Sequence, residues 1–328
     1  MGLNTMSQSN VTSPPLVSTG LLSRLKDSIA TVVRGKDEVI HLALVALFAR
    51  GHLLIEDVPG VGKTTLAHAL ARSLNCSFQR VQFTSDMLPS DVIGVNIYNQ
   101  QTQVFEFRQG PIFAQIVLAD EINRTTPKTQ SALLEAMNES QVTVENHTYP
   151  LPQPFMVIAT QNPIEHHGTF PLPESQLDRF LMRLRIGYPD ITHEKEILRS
   201  LSIQEPLLQI KSVLTAQDVL EIQDAARKVM VDESLMNYAL AVVDQSRHNE
   251  HLALGVSPRG TLALHRATQG LAILEGRSYC IPDDFKQLFL PVFAHRCVLS
   301  QRQSSLSKGI HLAEEILQEI VDSIPVPL

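Results

Sequence analysis

The alternation of apolar and polar positions along the 328-residue chain predicts a mixed α/β protein. Three continuous apolar runs, at 52–56, 116–120 and 155–160, predict strands of a parallel sheet, because a strand buried on both faces needs no polar side. A fourth strand is predicted at 78–83. Segments with helical spacing alternate with the strands, so we expect helices on both faces of the sheet. These helices are predicted at 21–29, 36–49, 63–74 and 127–138.

Two further segments alternate as β-hairpins do, one at 92–107 with its tip near Asn99 and one at 141–150. From about Pro189 onward the pattern predicts helices only. Capping residues mark the starts of three of these helices, and they are Thr215 with Asp218, Ser257 with Pro258, and Pro282. The last helix is predicted near 308–322.

These patterns divide the chain into three parts. Residues 1–20 carry no charged side chain and are predicted to be a flexible tail. Residues 21–189 are predicted to form the α/β core, and residues 190–328 a C-terminal all-α lid domain.

Composition permits a large core and limits the classes of partner. Hydrophobic residues make up 44% of the chain, and the formal net charge is −7. Because a surface that binds phosphate backbones must be basic, this acidity makes nucleic acid an unlikely main partner, although it leaves room for a local basic pore.

The cysteine pattern and the lack of long apolar runs predict a cytoplasmic protein. Cys76, Cys280 and Cys297 form no CxxC pair and are expected to be reduced, buried thiols. No run of about 18 apolar residues predicts a membrane span, and no signal peptide is recognisable at the N-terminus. The pair His248 and His251 has no third ligand, so we predict no metal site there.

The strongest chemical signal is a glycine-containing loop between the strand at 52–56 and the helix at 63–74. Gly60 and Gly62 allow the backbone to approach a phosphate, and the following helix presents its positive end to it. Lys63 would bind the β- and γ-phosphates of ATP or GTP, and the Thr64 hydroxyl would bind Mg²⁺. The predicted nucleotide-binding residues of this loop are Pro59, Gly60, Val61, Gly62, Lys63, Thr64 and Thr65. The common pattern of such loops begins with glycine at position 57, where this chain has Asp57.

Polar residues also follow two of the predicted buried strands. Asp120 and Glu121 lie at the carboxyl end of one, where ligands bind in open parallel sheets. Asp120 is predicted to hold Mg²⁺ through water, and Glu121 to act as the general base that polarises the attacking water. The alternative is that the two acids only end a strand. Asn162, after the other strand, could contact the γ-phosphate and the water, or could only cap the turn before Pro163.

With these pieces in order, the sequence resembles the AAA+ ATPases and, among them, the MoxR family. The resemblance covers nearly the whole chain after the tail. Its stretches are 56–65, 119–124, 159–165, 170–174, 176–180 and 257–259. The predicted hairpin at 92–107 matches the insert in helix 2 that MoxR proteins share with chelatase-type relatives, and the hairpin at 141–150 matches the insert before the sensor strand.

The resemblance implies roles for further residues. Asn162 corresponds to sensor 1, and Arg179 to an arginine finger that reaches the γ-phosphate of a neighbouring subunit. Arg183 is a rival for that role, and Arg179 could instead pair with Asp178 or another nearby acid on the surface. Arg259 corresponds to sensor 2, in its own subunit or across the interface.

By the same resemblance, Val33 and Gly35 correspond to the loop that flanks adenine. A departure from the family is His166 with His167, whose protonation could tune the subunit interface or which could be two exposed loop residues.

The family resemblance implies an ATPase that uses Mg²⁺ and ATP, assembles as a homo-hexamer, and does chaperone-like work on a client protein together with a partner that has a von Willebrand factor A domain. A DNA-associated motor is the first alternative, although Arg108 is the only basic residue from 92 to 109. A nucleotide-dependent scaffold or switch with little hydrolysis is the second, although Lys63, Asp120, Glu121 and Asn162 are all present.

Overall fold

The computed structural model describes residues 19–163, 168–201, 206–300 and 306–327. The first part of the chain supplies the sheet, its helices and two hairpins. Its elements are α1 (Thr19–Ala30), α2 (Asp37–Phe48), β1 (Leu53–Glu56), α3 (Lys63–Ser73), β2 (Phe78–Gln82), α4 (Pro89–Ile93), β3 (Gly94–Asn99), β4 (Val104–Gln109), β5 (Ile116–Asp120), α5 (Pro127–Glu139), β6 (Gln141–Val144), β7 (His147–Pro150), β8 (Met156–Gln161), α6 (Glu174–Leu177) and β9 (Met182–Leu184).

The second part of the chain is mainly helical. Its elements are α7 (Ile191–Leu201), α8 (Ala216–Ala226), α9 (Glu233–His248), β10 (Leu252–Leu254), α10 (Pro258–Leu274), α11 (Pro282–Phe293), β11 (Val298–Leu299) and α12 (Leu306–Ser323). Short 3₁₀ turns lie at Ile122–Arg124, Pro206–Gln209 and Ala294–Arg296.

The central sheet has the strand order β2-β5-β8-β1-β9, and its strands pair in parallel. Alternate residues of each inner strand enter two different apolar clusters; in β5, for example, Ile116 and Leu118 belong to one and Val117 and Ala119 to the other. Both faces of the sheet are therefore covered, which is why its strands are continuous apolar runs. Because the strands are parallel, their carboxyl ends share one edge of the sheet.

The prediction of a parallel sheet flanked by helices, with a helical C-terminal domain, is confirmed. The four predicted strands and both hairpins are present, with ends within two residues of those expected. The hairpins are the antiparallel pairs β3–β4 and β6–β7. The predicted caps are also present, since Thr215 and Asp218 exchange hydrogen bonds and the Ser257 hydroxyl accepts from the Gly260 N–H at 3.1 Å.

Two features of the fold differ from the expectation. The region after Pro189 is not purely helical, because β10 and β11 form a short antiparallel pair. The fifth strand of the sheet, β9, was not predicted, because it is only three residues long and carries a charged residue, Arg183, at its centre. Most of the predicted flexible tail (1–18) and the pair His166 and His167 lie outside the described residues; Thr19 and Gly20 begin α1.

Candidate active site

The glycine loop between β1 and α3 is open to solvent. Gly60 and Gly62 have φ values of +86° and +97°, and among the described residues other than their chain neighbours, no atom lies within 4 Å of the place where a Cβ would be at either residue. Such positive φ angles favour glycine, and they allow successive backbone N–H groups to face a common point. The loop residues from Pro59 to Thr65 are all partly or fully exposed. This is a cradle that could hold phosphates.

Lys63, the first residue of α3, lies close to the predicted acids. Its ammonium donates to the Asp57 carbonyl oxygen at 2.5 Å. Burial lowers the pKa of Lys63, and the charges of Asp57, Asp120 and Glu121 oppose that shift. The fold thus brings the cation of the loop and the two acids after β5 to the same edge of the sheet.

Asp57 binds the chain that follows β9. Its Oδ2 accepts from the N–H groups of Ile186 and Gly187 at 2.7 and 2.6 Å, and its Oδ1 accepts from the N–H of Val58 at 2.8 Å. Asp57 therefore fixes the start of the phosphate-binding loop to the connection between the sheet and the C-terminal helices.

Asp120 and Glu121 are held by a threonine on the neighbouring strand β8. The Thr160 hydroxyl donates to Asp120 Oδ1 at 2.6 Å and accepts from the Glu121 N–H at 2.9 Å. Glu121 has a left-handed backbone, with φ 57° and ψ 49°, a conformation that costs a non-glycine residue free energy and is concentrated at functional sites.

Residues of β2 and of the 3₁₀ turn at Ile122–Arg124 bind the carboxylates of Asp120 and Glu121. Arg80 binds Asp120 Oδ2 through Nη2 at 2.6 Å and Nε at 3.1 Å. Gln82 donates to Glu121 Oε2 at 2.6 Å, and Arg124 Nε lies 3.0 Å from the same oxygen. Sequence reasoning missed these partners. The polar residues at alternate positions near the end of the predicted strand at 78–83 were the available signal.

The donor set at this edge fits Mg²⁺. The hydroxyl of Thr64 and the carboxylate of Asp120 are oxygen ligands of the kind that Mg²⁺ prefers. Asp120 Oδ2 accepts two hydrogen bonds from Arg80, whereas Oδ1 accepts one, from Thr160, and therefore keeps a lone pair that can accept from a metal-bound water. Coordination of the metal through water, as predicted for Asp120, is compatible with this arrangement.

Asn162 lies at the sheet edge that carries the cradle, and the predicted adenine loop lies against the chain that follows β9. Asn162 follows β8, which pairs with both β1 and β5, and it is 7% exposed. Val33 belongs to the apolar core, and Gly35 lies against the ring of His193 on α7. The same loop contacts the connection that Asp57 holds, because Lys36 donates to the Tyr188 carbonyl at 2.9 Å.

The two predicted arginines, Arg179 and Arg259, lie together in a different place. Both line a cavity of about 850 Å³ between the sheet and the C-terminal helices. Four more arginines line it, and they are Arg50, Arg227, Arg266 and Arg296. Among the described residues that line this cavity, none belongs to the phosphate-binding loop. Arg179 donates to the Leu134 carbonyl at 3.0 Å and Arg259 is exposed.

Comparison with known proteins matches both parts of the chain. Residues 52–182 match an ATPase family associated with various cellular activities (AAA), and residues 244–320 match an AAA lid domain. The chain is 48% identical over 308 residues to the protein YeaC of Bacillus subtilis, covering 94% of this chain and 95% of YeaC. It is 41% identical over 309 residues to Chaperone MoxR1 of Mycobacterium tuberculosis, covering 92% of this chain and 79% of the relative. The chain belongs to the MoxR family of AAA+ ATPases.

A solved structure agrees with this MoxR assignment over the whole fold. A protein from Cytophaga hutchinsonii whose crystal structure is known superposes with a TM-score of 0.86 at 36% identity, covering 94% of this chain and 96% of that one. In the described part of this MoxR chain, no helix is long and apolar enough to cross a membrane.

Arg183, the rival for the finger role, is buried in ion pairs within this MoxR chain. Its guanidinium lies 3.4 Å from Glu56 on β1 and 2.9 Å from Glu314 on α12, and its side chain is 8% exposed. This position joins the sheet to the last helix and leaves little of Arg183 for a neighbouring subunit. The surface pair of Arg179 with Asp178 is also not formed, because Asp178 binds Arg296 at 2.8 Å.

The hairpin β3–β4 of the MoxR chain exposes large apolar side chains. Tyr98 and Phe105, which contact each other across the two strands, are 49% and 70% exposed. Phe107 stacks on Tyr149 of the hairpin β6–β7 with ring centroids 4.0 Å apart. The two hairpins thus touch through aromatic side chains and present an apolar surface.

Proposed function

We propose that this MoxR chain hydrolyses ATP with Mg²⁺ in a homo-hexameric ring and uses the resulting motion to remodel a client protein. The observation that supports it most is the separation of two half-sites. The phosphate-binding loop, Asp120, Glu121 and Asn162 lie at one edge of the sheet, whereas Arg179 and Arg259 line a separate cavity. Such a molecule needs a second copy of itself to surround a triphosphate completely.

The residues at the sheet edge supply binding and proton transfer. The loop N–H groups and Lys63 would bind the β- and γ-phosphates, while Glu121 would accept a proton from the attacking water and Asn162 would orient that water. Bound at Thr64 and Asp120, Mg²⁺ would offset the negative charge that develops on the phosphate oxygens. Gln82 and Arg124 restrict the Glu121 carboxylate, so the base starts from a defined position.

The arginine cavity would serve the neighbouring subunit's ATP. Arg179 would offset charge on the γ-phosphate in the transition state, and Arg259 would bind the same triphosphate across the interface. The proposal assigns this role to Arg179 rather than to Arg183, because the buried ion pairs of Arg183 leave little of its guanidinium for a neighbouring subunit. Nucleotide-dependent contact between subunits would then link hydrolysis to movement of the lid.

In this proposal, the exposed apolar hairpin β3–β4 contacts the client. Its aromatic side chains can bind a partly unfolded segment, and its contact with β6–β7 would transmit movement of the sheet. One relative is named a chaperone, in agreement with this kind of work. The resemblance to the MoxR family implies a partner with a von Willebrand factor A domain, which we include in the proposal.

Two variants test the hydrolysis step. Glu121→Gln is expected to bind ATP with an affinity near that of the wild type and to hydrolyse it at least about 100-fold more slowly, because the amide cannot accept the proton. Lys63→Ala is expected to lose ATP binding itself. Normal hydrolysis by Glu121→Gln contradicts the proposal, and lack of hydrolysis by the wild type with Mg²⁺ would favour a nucleotide switch.

Capture experiments address the client and partner. Glu121→Gln loaded with ATP should hold the assembled state longest, so affinity capture with this variant should recover a protein that contains a von Willebrand factor A domain. The matched control is the double variant Lys63→Ala/Glu121→Gln, which should recover none. DNA should not stimulate the ATPase, and stimulation would support the DNA-motor alternative.

A further inference from the structure

The Asp178 carboxylate lies at the joint between the sheet and the lid and lines the same cavity as Arg179 and Arg259. It directly precedes Arg179 in the chain. The Ser257 hydroxyl, two residues before Arg259, lies 3.1 and 3.0 Å from its two oxygens. Arg296, in the 3₁₀ turn after α11, donates to Asp178 Oδ1 through Nε at 2.8 Å. One carboxylate therefore contacts the segments that carry Arg179 and Arg259.

Arg296 extends this connection through the interior. Besides Asp178, it donates to the carbonyls of Phe180 at 2.6 Å and Leu181 at 3.2 Å, which follow Arg179 in the chain. Burial lowers the pKa of Arg296 to about 10, an effect that Asp178 opposes and to which the nearby charge of Arg259 adds. Arg296 thus stays charged at neutral pH and depends on Asp178 as its counter-ion.

The first turn of α10, which carries Arg259, is seated directly on Arg296. A Cβ at Gly260 would lie 2.8 Å from Arg296 Cδ and 2.7 Å from Val256 Cγ1. Only glycine allows this approach at position 260. The N-terminus of α10 is capped by Ser257, the same residue that binds Asp178. The orientation of Arg259 is consequently tied to Asp178 through Ser257 and to Arg296 through Gly260.

We propose that Asp178 is a positioning residue that holds Arg179 and Arg259 in one fixed arrangement, so that the two arginines approach a neighbouring subunit's triphosphate as a unit. This inference rests on the proposed function. Misplacing a catalytic group by about 1 Å can cost about 100-fold in rate. The contacts of Asp178 with Ser257 and Arg296 therefore determine whether the two arginines can act on the neighbouring subunit's triphosphate.

Asp178→Asn tests the inference. Its kcat for ATP is expected to fall roughly 100-fold, whereas the ATP affinity of its own phosphate-binding loop should stay within about twofold of the wild type, because Asp178 does not contact that loop. Mixing with Glu121→Gln subunits, which keep an intact arginine cavity, should restore hydrolysis at the Asp178→Asn subunits' own sites. A defect of folding would not be restored in this way.

Asp284→Asn is the matched control. Asp284 is a buried carboxylate that binds Arg277 at 2.5 Å within the lid, and its variant should keep a kcat near that of the wild type. Should Asp178→Asn fail to fold, Ser257→Ala removes the lid side of the contact together with the N-cap of α10 and should lower kcat with unchanged ATP affinity, again restored by Glu121→Gln.

The outcomes separate this inference from the proposed function. Suppose that Arg179→Ala recovers activity in mixtures with Glu121→Gln, whereas Asp178→Asn and Ser257→Ala do not; the role of Asp178 is then wrong and the ring stands. The same conclusion follows if Asp178→Asn and Ser257→Ala each keep the wild-type kcat. If Arg179→Ala does not recover, the assembly on which the inference rests is wrong.

Discussion

Asp57 stands where phosphate-binding loops commonly begin with glycine, and its side chain gives the reason for the departure. Three backbone N–H groups donate to its carboxylate, two of them from the connection after β9. The residue therefore contributes to the loop through its side chain rather than through backbone freedom, which Gly60 and Gly62 supply nearby.

Asp57→Gly, which restores the common pattern, should destabilise this protein. The N–H groups of Ile186 and Gly187 would lose their acceptor, at a cost of about 1–3 kcal/mol, and the loop would be held less firmly, which should raise the Kd for ATP. Urea unfolding and an ATP-binding titration measure the two effects. Asp57→Asn, which keeps one acceptor oxygen, should lie between. A glycine variant with wild-type stability and affinity would contradict this role.

His52 gives stability a pH dependence that can be assigned to one residue. Its Nε2 lies 2.9 Å from the Met137 carbonyl and its Nδ1 accepts from the Val157 N–H at 3.0 Å, so the buried ring is neutral. Burial lowers the pKa of His52 to about 4 from the ordinary 6.5. The folded state thus resists protonation that the unfolded chain accepts, and stability is complete above pH 6.5 and falls as the pH drops toward 4.

Between pH 6.5 and pH 5, His52 alone should remove about 2 kcal/mol from the free energy of unfolding. His295, whose pKa burial also lowers, changes stability in the same direction, so the comparison must be between variants. His52→Gln should show a pH slope that is smaller by this amount in urea unfolding measured across the range. An unchanged slope would mean that His52 is not the group responsible.

At the scale of elements, Arg183 joins three parts of the fold. It lies on β9, faces Glu56 on β1 and binds Glu314 on α12. The carboxylate of Glu56 also accepts from Gln161, which directly precedes Asn162. The last helix is consequently connected by polar contacts to the two strands that carry the phosphate-binding loop and the predicted sensor residue.

Arg183→Met should therefore cost stability rather than catalysis in a neighbouring subunit. Removing one partner of a buried ion pair typically costs about 3–5 kcal/mol, and urea unfolding measures it. Arg185→Met is the matched control, because Arg185 lies 3.6 Å from the same Glu314 but is 38% exposed, where a pair is worth about 1 kcal/mol or less. A stable Arg183→Met protein whose lost activity returns with Glu121→Gln subunits would make Arg183 the finger.

Much of the fold, and of the sheet edge that carries the phosphate-binding loop, could be predicted from the sequence, because both depend on local patterns. Buried parallel strands are continuous apolar runs, and the loop from Pro59 to Thr65 has its own signature. The partners Arg80 and Thr160 could not be predicted, since they reach the acids only after the strands pair; Arg124, three residues from Glu121, is a local contact. The strand β9 could not be predicted either, because Arg183 is buried by ion pairs that come from distant segments.

On the scale of the whole molecule, the sheet edge with the phosphate-binding loop and the cavity lined by Arg179 and Arg259 are parts of one packed body. A single apolar cluster runs from the sheet, with Leu53, to the C-terminal helices, with Leu271 and Leu317. Asp57 binds the connection between the sheet and the C-terminal helices near the phosphate-binding loop, and Asp178 joins the sheet to those helices at the arginine cavity. In the proposed mechanism, a change at the phosphates would reach the arginines by changing the relative position of sheet and lid.

The central claim, that one subunit's ATP is completed by the arginines of the next, is tested most directly by mixing two inactive variants. Arg179→Ala should be slower than the wild type by roughly 10³-fold, and Glu121→Gln should be inactive through its own site. Their equimolar mixture should hydrolyse ATP at about a quarter of the wild-type rate, the chance that random assembly places an intact base beside an intact arginine. Arg179→Ala mixed with the double variant Arg179→Ala/Glu121→Gln should stay inactive. A first mixture no faster than its components would contradict the account.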